Sequence, residues 1–258
     1  MLGAIVCNIM FWKLNNTLPK QSFAIVVILG LCVWIIYVLD RLLDNQKTSF
    51  PPTERHIFHQ KNAKILWYFI GFLAFVCLIL VFFLPINIIA FGIITSLLTG
   101  LYLLIISKIS PKNNFQHYKE PITSFVYVSA VFGTTVLHNP TIDSLLIGFI
   151  FLLIVFQNLL LFSLSEFKNY NKSYNLAARL GIKKSNIILV VITCGVIILG
   201  SILTGLSMTN YQNKVVFIEL MMSIILLIIN QFDHFFLTND RYRWVGDGIF
   251  LLPLLIIF

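Results

Sequence analysis

The stretch from Trp34 to Asp44 reads W-I-I-Y-V-L-D-R-L-L-D and indicates how the rest of the chain is organised. It begins inside a long apolar run and ends in two aspartates, Asp40 and Asp44, with Arg41 between them. Residues three, four and seven positions apart share a helix face, so a helix places Tyr37, Asp40 and Asp44 on one side. A charged group in a membrane helix is costly and faces a polar cavity, a partner or the interface.

Three explanations for the two aspartates remain open at this point. They hold a divalent metal, they are neutralised by Arg41 and other bases, or they mark the end of the helix in water. Two acids one helical turn apart repel each other unless a cation or a base lies between them. The spacing by itself does not decide among the three explanations.

The composition is typical of a protein that crosses a membrane many times. The chain has 258 residues, of which 59% are hydrophobic and only 11% are charged, and its mean hydropathy is +0.92. Soluble domains contain about 25% charged residues. The formal net charge of +8 does not indicate a nucleic-acid partner, because the position of the bases in the membrane topology explains it.

The apolar segments predict nine transmembrane helices in a single domain, residues 1–258, with the first and last helices short. About 20 apolar residues cross the hydrocarbon core. The uncharged run 65–107 is too long for one span, and Leu84-Pro85 is expected to separate two helices. The N-terminal M-L-G-A-I-V lacks the basic region of a signal peptide and is expected to begin the first helix. The predicted segments are about 1–14, 22–44, two within 65–107, 122–137, 144–166, 185–206, 215–231 and 244–258.

The distribution of Lys and Arg predicts the orientation in the cell membrane. With nine spans, the loops after helices 2, 4, 6 and 8 lie on one side, and the other side receives only Lys13, Lys20 and Lys214. Cytosolic loops have an excess of Lys and Arg. We therefore expect the N-terminus and the long polar loops to be cytosolic. That side receives the other 15 of the 18 bases, namely Arg41, Lys47, Arg55, Lys61, Lys64, Lys108, Lys112, Lys119, Lys168, Lys172, Arg179, Lys183, Lys184, Arg241 and Arg243.

Isolated polar residues within the apolar segments are expected to have structural roles. Cys7, Cys32, Cys77 and Cys194 are scattered singly with no C-x-x-C, so they are predicted to be small packing residues rather than disulfide or metal partners. Amide side chains in apolar helices more often form interhelical hydrogen bonds than bind ligands. The amides concerned are Gln157, Asn158, Asn230 and Gln231.

The acidic ends of helices 2 and 6 resemble the UbiA superfamily of intramembrane prenyltransferases. The first motif of that family is N-D-x-x-D-x-x-x-D. Asp40 and Asp44 match its last two aspartates, and Arg41 matches the arginine that is common after the middle one. The leading Asn-Asp falls on Ile36-Tyr37 and is missing.

The second family motif, D-x-x-x-D, is less complete in this chain. Helix 6 ends in S-E-F-K-N-Y-N, where Glu166 is the only acid and Asn169 and Asn171 stand where a further aspartate is expected. The following N-L-A-A-R-L-G is similar to the family segment after that motif. Lys119-Glu120 resembles the basic start of the fifth family helix.

The resemblance implies an all-α bundle of nine transmembrane helices around a cavity open to the cytosolic side. It implies transfer of an isoprenyl group from its diphosphate to a lipophilic or aromatic acceptor, with Mg²⁺ as the cofactor and the lipid bilayer as the surroundings. Mg²⁺ suits carboxylate oxygens and bridges to substrate phosphates. The implied roles are Asp40, Asp44 and Glu166 as catalytic residues, the same three acids with Asn169 as metal ligands, and Tyr37, Arg41, Arg55, Lys119 and Asn169 as substrate-binding residues.

Two other functions remain open because the acidic motifs are incomplete. The chain is alternatively a catalytically inactive UbiA-like scaffold that binds or transports a lipid or a small molecule. A small-solute transporter unrelated to the family is a third hypothesis, although no strong inverted repeat supports it.

Overall fold

A computed structural model describes residues 1–14, 22–44, 54–109, 114–138, 140–169, 175–206 and 208–257. Within these ranges all regular secondary structure is helical. Short 3₁₀ segments occupy Asn114–Tyr118, Thr238–Asp240 and Ile249–Leu251. The α-helices are α1 Leu2–Lys13, α2 Ser22–Asp44, α3 Glu54–Lys61, α4 Ala63–Val81, α5 Ile86–Lys108, α6 Lys119–His138, α7 Ile142–Asn169, α8 Leu176–Leu180, α9 Ile182–Gly205, α10 Asn210–Gln231, α11 Asp233–Leu237, α12 Arg241–Gly248 and α13 Leu254–Ile257.

Seven of these helices are long and apolar enough to cross a membrane. They are α2, α4, α5, α6, α7, α9 and α10, and their apolar spans are 19 to 28 residues long. Because about 20 residues cross the hydrocarbon core, each of the seven meets the requirement for a span. The chain is therefore a polytopic membrane protein, as the composition predicts.

The two terminal segments of the nine predicted spans are shorter. Helix α1 has 12 residues and a length of about 18 Å at 1.5 Å per residue, well below the thickness of the hydrocarbon core. Its Met10, Phe11 and Trp12 side chains are buried in the bundle. The last segment is divided into α12, a 3₁₀ turn and α13. A count of nine full spans thus remains a prediction.

The predicted turn between the third and fourth spans is present. Helix α4 ends at Val81 and α5 begins at Ile86, with Pro85 as the residue that caps α5. Proline has no backbone N–H and a fixed φ, both of which are tolerated at the start of a helix. The loop predicted between the second and third spans contains α3, a polar helix that the apolar pattern does not reveal.

Helix α10 begins five residues before the predicted Val215. Its start is fixed by a capping box, in which the Thr209 hydroxyl accepts from the Gln212 backbone N–H at 3.2 Å. The Gln212 side chain accepts from the Thr209 backbone N–H at 2.9 Å in return. This T-x-x-Q pattern is a helix-start signal in the sequence, so the earlier boundary was predictable from local chemistry.

Helix α7 is the most buried of the seven spans, and α4 is the least buried. A polar contact joins α7 to α9 and α10 at the centre of the bundle. Gln157 Nε2 donates to Thr193 Oγ1 at 2.9 Å and to the Ser223 carbonyl at 3.1 Å. The Ser223 hydroxyl donates to Gln157 Oε1 at 2.7 Å. The interhelical hydrogen bonding predicted for Gln157 is therefore confirmed.

The other three amides behave differently. The side-chain oxygens of Asn158 and Asn230 are buried and have no hydrogen-bond partner among the described residues. Gln231 is exposed at the end of α10. For these three residues the prediction of interhelical hydrogen bonds is not supported.

Candidate functional site

Two ion pairs join helix ends that are far apart in the sequence. Asp40 Oδ1, at the end of α2, lies 2.9 Å from Lys119 Nζ at the start of α6. Glu166, near the end of α7, pairs with the Arg243 guanidinium at the start of α12. These four helix ends therefore lie at one end of the bundle, which we call the charged end.

The Asp40–Lys119 pair is partly buried, and a neighbouring tyrosine bonds to the backbone of Lys119. The two side chains are 20% and 29% exposed, respectively. The Tyr102 hydroxyl of α5 donates to the Lys119 carbonyl at 3.2 Å and forms a 3.0 Å hydrogen bond with Thr123 Oγ1. Tyr102 thus positions the first turn of α6. Tyr102 is not predictable as a positioning residue, since an isolated tyrosine in an apolar run is indistinguishable from a packing residue.

Tyr37 and Arg41 stack where α2 meets α3. The Arg41 guanidinium lies 5.5 Å from the centroid of the Tyr37 ring. The same ring packs edge-on against His59 of α3, with the ring centroids 6.2 Å apart. Tyr37 is exposed and His59 is buried. These contacts bring the polar helix α3 against the end of α2, one turn before Asp40.

Arg243 links Glu166 to the aromatic residues beneath it. Arg243 Nε donates to the Tyr242 hydroxyl at 2.9 Å, and its guanidinium lies 5.6 Å from the Phe162 ring centroid. Burial raises the pKa of Tyr242 to about 12, so this hydroxyl is neutral at physiological pH. Burial opposes the charged form of Arg243, yet its pKa is raised because the Glu166 carboxylate attracts the guanidinium.

The Arg41 and Arg243 charges are close enough to repel each other. Arg41 belongs to α2 and Arg243 to α12, so the first acidic helix end lies beside the Glu166–Arg243 pair. The charged end therefore contains acids and bases from both motif regions. Such a cluster can bind an anion whose charge its bases complement.

A third ion pair extends the charged end toward α11. Lys168 Nζ of α7 donates to Asp233 Oδ2 at 2.8 Å. The hydrogen bond from Lys168 is the main cause that lowers the pKa of Asp233. Because Lys168 follows Glu166 by two residues, the end of α7 contacts both α11 and α12.

Hydrogen bonds hold the segment N-L-A-A-R-L-G, residues 175–181, next to the first turn of α6. Glu120 Oε1 accepts from the Leu176 backbone N–H at 3.1 Å. Asn175 caps α8 by accepting from the Ala178 N–H at 2.9 Å, and its amide donates to the Ser163 carbonyl at 2.8 Å. Glu120 and Asn175 therefore join α8 to α6 and α7. The sequence suggested only a resemblance for this region and assigned neither residue a positioning role.

The structure brings most of the predicted site residues to the charged end. Asp40, Lys119 and Glu166 form the ion pairs described above, and Arg41 stacks on Tyr37. Asn169 is exposed at the end of α7, one turn beyond Glu166. The side chains of Asp44 and Arg55 lie outside the described residues. Two site residues were not predicted from the sequence: Tyr102, and Arg243, which lies 77 residues from Glu166.

Asp40 and Glu166 are each neutralised by a base in this structure. The bases are Lys119 and Arg243. Among the side chains that the structure describes, no group of three His, Cys, Asp or Glu residues is arranged to hold a metal ion. Mg²⁺ usually binds through one or two carboxylates together with waters and substrate phosphates. The Asp40 carboxylate supplies one ligand of the kind that this smaller requirement needs.

Comparisons with known proteins gave no match: no family model, no curated protein and no solved structure matches this chain.

Proposed function

We propose that this chain is a UbiA-like, Mg²⁺-dependent prenyltransferase that moves an isoprenyl group from its diphosphate to a lipophilic or aromatic acceptor. The observation that supports the proposal is the convergence of Asp40 and Glu166 with Lys119, Arg41 and Arg243 at one end of a membrane-embedded bundle. A diphosphate head group requires bases for its oxygens and acids for its metal. Its isoprenyl chain requires an apolar surrounding.

The bases would act on the departing diphosphate. Arg41 and Lys119, with Arg55 of α3, bind its oxygens and stabilise the negative charge that develops as the carbon–oxygen bond breaks. When bound, Mg²⁺ supplies further neutralisation of this charge. Asp40 and Asp44 would hold a first ion, and Glu166 with Asn169 a second. Tyr37 would line the cavity that receives the isoprenyl diphosphate.

The ion pairs define the state of the site before substrate binds. Lys119 neutralises Asp40, and Arg243 neutralises Glu166. An arriving diphosphate offers Lys119 a second anionic partner and so frees an Asp40 oxygen for a metal. A charge-assisted hydrogen bond to phosphate is strong enough to compete with a partly exposed ion pair.

The second candidate function is a scaffold that binds an isoprenoid lipid or another small molecule without chemistry. One observation favours it: Asp40 and Glu166, the two proposed catalytic acids whose side chains are described, each already have a base as a partner. In addition, position 37 has tyrosine where the family motif has an acid. The bases alone would then bind an anionic head group without a metal.

Binding of a non-hydrolysable farnesyl thiodiphosphate to the full chain in lipid nanodiscs separates these functions. The transferase proposal expects Mg²⁺-dependent binding that falls at least tenfold in Asp40→Asn and in Asp44→Asn. Asp143→Asn, at the opposite end of α7, is the matched control and should bind as wild type does. Equal binding with and without Mg²⁺ in all variants would favour the scaffold, and no binding in any of them would exclude both functions.

The proposal places the charged end in the cytosol of a multi-pass protein of the cell membrane. The support is the excess of Lys and Arg in the loops at that end. A membrane-impermeant maleimide applied to intact cells should label Asn210→Cys but not Lys183→Cys in a background without native cysteines. Both positions are exposed, so the difference reports sidedness. The opposite labelling pattern would invert the orientation.

A further inference from the structure

Glu219 is the one fully buried acid among the side chains that the structure describes. It lies on α10, nine residues after Asn210 and twelve before Gln231, and therefore near the middle of that span. The residue is 0% exposed, and neither of its carboxyl oxygens has a hydrogen-bond partner among the described residues. The proposed transferase function does not involve Glu219. A buried polar side chain without a partner is rare in folded proteins and requires a physical reason.

The buried polar residues of α10 lie on one face of the helix. Gln212, Glu219, Ser223 and Asn230 are all buried, and their spacings of seven, four and seven residues place them in one stripe along the span, which we call the polar stripe. Ser223 lies one turn from Glu219 and exchanges hydrogen bonds with Gln157 of α7. The polar stripe therefore faces α7, in the interior of the bundle.

Among the described residues, no buried base lies on the elements that surround α10. Helices α7, α9, α11 and α12 and the 3₁₀ segment after α12 pack against it, and α1 bonds to it through the Tyr211 hydroxyl. Of the titratable side chains on these elements, only Cys7 and Tyr242 are buried, and the Cys7 thiol donates to the Phe250 carbonyl at 3.5 Å. Their Lys, Arg and His side chains are at least partly exposed and lie at or beyond the ends of the spans. A carboxylate at position 219 would thus have no counter-charge beside it.

This environment favours a neutral carboxyl group. An ionised carboxyl in an apolar interior, without donors or a counter-charge, is so unfavourable that such groups take up a proton instead. A metal ion would need several oxygen ligands around it, whereas a proton needs no cavity. The Ser223 hydroxyl, one turn away, retains lone pairs that can accept from a protonated Glu219. Acids inside transmembrane bundles mark proton relays and ion pathways.

We propose that Glu219 is an intramembrane proton-binding site whose occupancy is linked to the packing of α10 against α7. In the packed bundle the carboxyl group holds the proton. When the two helices separate, water reaches the polar stripe, solvates the carboxylate and accepts the proton as hydronium. Repacking takes one proton back from water. Glu219 lies about 18 Å along α10 from its end at Gln231, so the inference does not depend on the proposed transferase function.

Infrared spectroscopy of the full chain in lipid nanodiscs tests the occupancy. A protonated carboxyl group has a C=O stretching band that a carboxylate lacks. At pH 7 the wild-type spectrum should contain such a band, and Glu219→Gln should lose it. Glu166→Gln is the matched control and should lose carboxylate absorption instead, because Glu166 is paired with Arg243. Glu219→Asp should shift the band, which keeps the test valid if the Gln variant folds poorly. A wild-type spectrum without an acid band that depends on position 219 would overturn the proposal.

Unfolding at different pH values tests the linkage to packing. The packed chain retains a proton that the unfolded chain releases above the unfolded glutamate pKa of about 4.3, so this contribution to stability is complete below that pH and is lost as the pH rises. Glu219→Gln cannot ionise. From pH 4 to pH 8, its unfolding constant relative to that of wild type should therefore fall with increasing pH, by up to about tenfold per pH unit. Asp143→Asn is the control and should show no such trend. A ratio for Glu219→Gln that stays constant over this range would contradict the proposal.

Discussion

The Asp40 carboxylate at the end of α2 lies 2.9 Å from the Lys119 ammonium at the start of α6. Helices α3, α4 and α5 lie between the two residues along the chain, and no local pattern connects them. Their contact places the acidic end of the second helix against the basic start of α6. It also explains how an acid remains at the end of a membrane helix, where an unpaired charge is costly.

A double-mutant cycle on Asp40→Asn and Lys119→Met should give a coupling free energy of about 1–2 kcal/mol. This value lies between that of exposed pairs and that of buried pairs, because both side chains are partly exposed. The measurement is the free energy of unfolding in detergent for the four proteins of the cycle. Asp143→Asn combined with Lys119→Met is the control and should be additive, since distant sites do not couple. Additivity of the Asp40 and Lys119 changes would show that the contact contributes nothing to stability.

Arg243→Gln should lower the free energy of unfolding by about 2 kcal/mol, because it removes the partly buried partner of Glu166 and the hydrogen bond to Tyr242. Arg243→Lys should recover part of this loss through its charge but not the planar contact with Phe162. Thermal unfolding of the purified variants measures both effects. Arg241→Gln is the control, because Arg241 contacts only the exposed Phe235 among the described ring contacts. Equal losses for the changes at 241 and 243 would contradict the assigned role of Arg243.

Gln157→Leu should destabilise the bundle by about 1–3 kcal/mol, since it removes the hydrogen bonds to Thr193 and Ser223 and leaves the Ser223 hydroxyl without its acceptor. Gln231→Leu, at an exposed position, is the matched control and should change stability little. The comparison is made by thermal or detergent-induced unfolding. A stable Gln157→Leu protein would mean that apolar packing replaces the amide fully.

The sequence predicts the spans well because an apolar run of the right length has few alternatives in a membrane. The proline at position 85 even locates the turn between α4 and α5. Helices α3, α8 and α11 were missed because they have only eight, five and five residues, too few to show a periodic apolar pattern. Helices this short depend on caps and tertiary contacts. The Asn175 cap and its bond to the Ser163 carbonyl are examples.

The sequence predicted Asp40, Lys119 and Glu166 as site residues, but not Arg243 and not which acid meets which base. Asp40 and Glu166 stand out as acids at the ends of apolar segments, which a sequence shows directly. Their partners Lys119 and Arg243 are ordinary loop-side bases in the sequence. The pairing of each acid with a base depends on which helices pack against each other. Because many bases lie on that side of the membrane, the sequence is compatible with many acid–base pairs.

Asp233→Asn should reduce stability at neutral pH but not in acid. The hydrogen bond from Lys168 lowers the pKa of Asp233 in the folded protein, so the folded state binds fewer protons than the unfolded chain. The stabilisation is therefore complete above the unfolded pKa of about 3.9 and is lost as the pH falls through the lower folded pKa. Its size should be below about 1 kcal/mol, since the Asp233 side chain is 43% exposed.

The difference in melting temperature between wild type and Asp233→Asn, followed from pH 7 to pH 3, measures this effect. In a Lys168→Gln background the same difference should be smaller, because the largest cause of the lowered pKa is gone while the contributions of His234 remain. A difference that is undiminished in that background would assign the pKa shift to another group.

Tyr37→Asp should strengthen Mg²⁺-dependent binding of an isoprenyl diphosphate analogue, if the charged end is the site proposed above. The substitution places a carboxylate on the face of α2 that Asp40 occupies, one helical turn earlier. The added charge offsets the metal charge that the present acids compensate incompletely. We expect the Mg²⁺ concentration needed for half-maximal binding to fall by about threefold to tenfold, or about 0.7–1.4 kcal/mol.

The matched control is Tyr37→Phe. It retains the ring that stacks on His59 and under Arg41 but adds no acid, so it should leave the Mg²⁺ dependence unchanged. Tyr37→Asp loses these ring contacts, and its melting temperature should fall even while its metal binding improves. Stability and metal affinity would then change in opposite directions, which a purely structural role for position 37 does not produce. If Tyr37→Asp and Tyr37→Phe showed the same Mg²⁺ dependence as wild type, this face of α2 would not hold the metal.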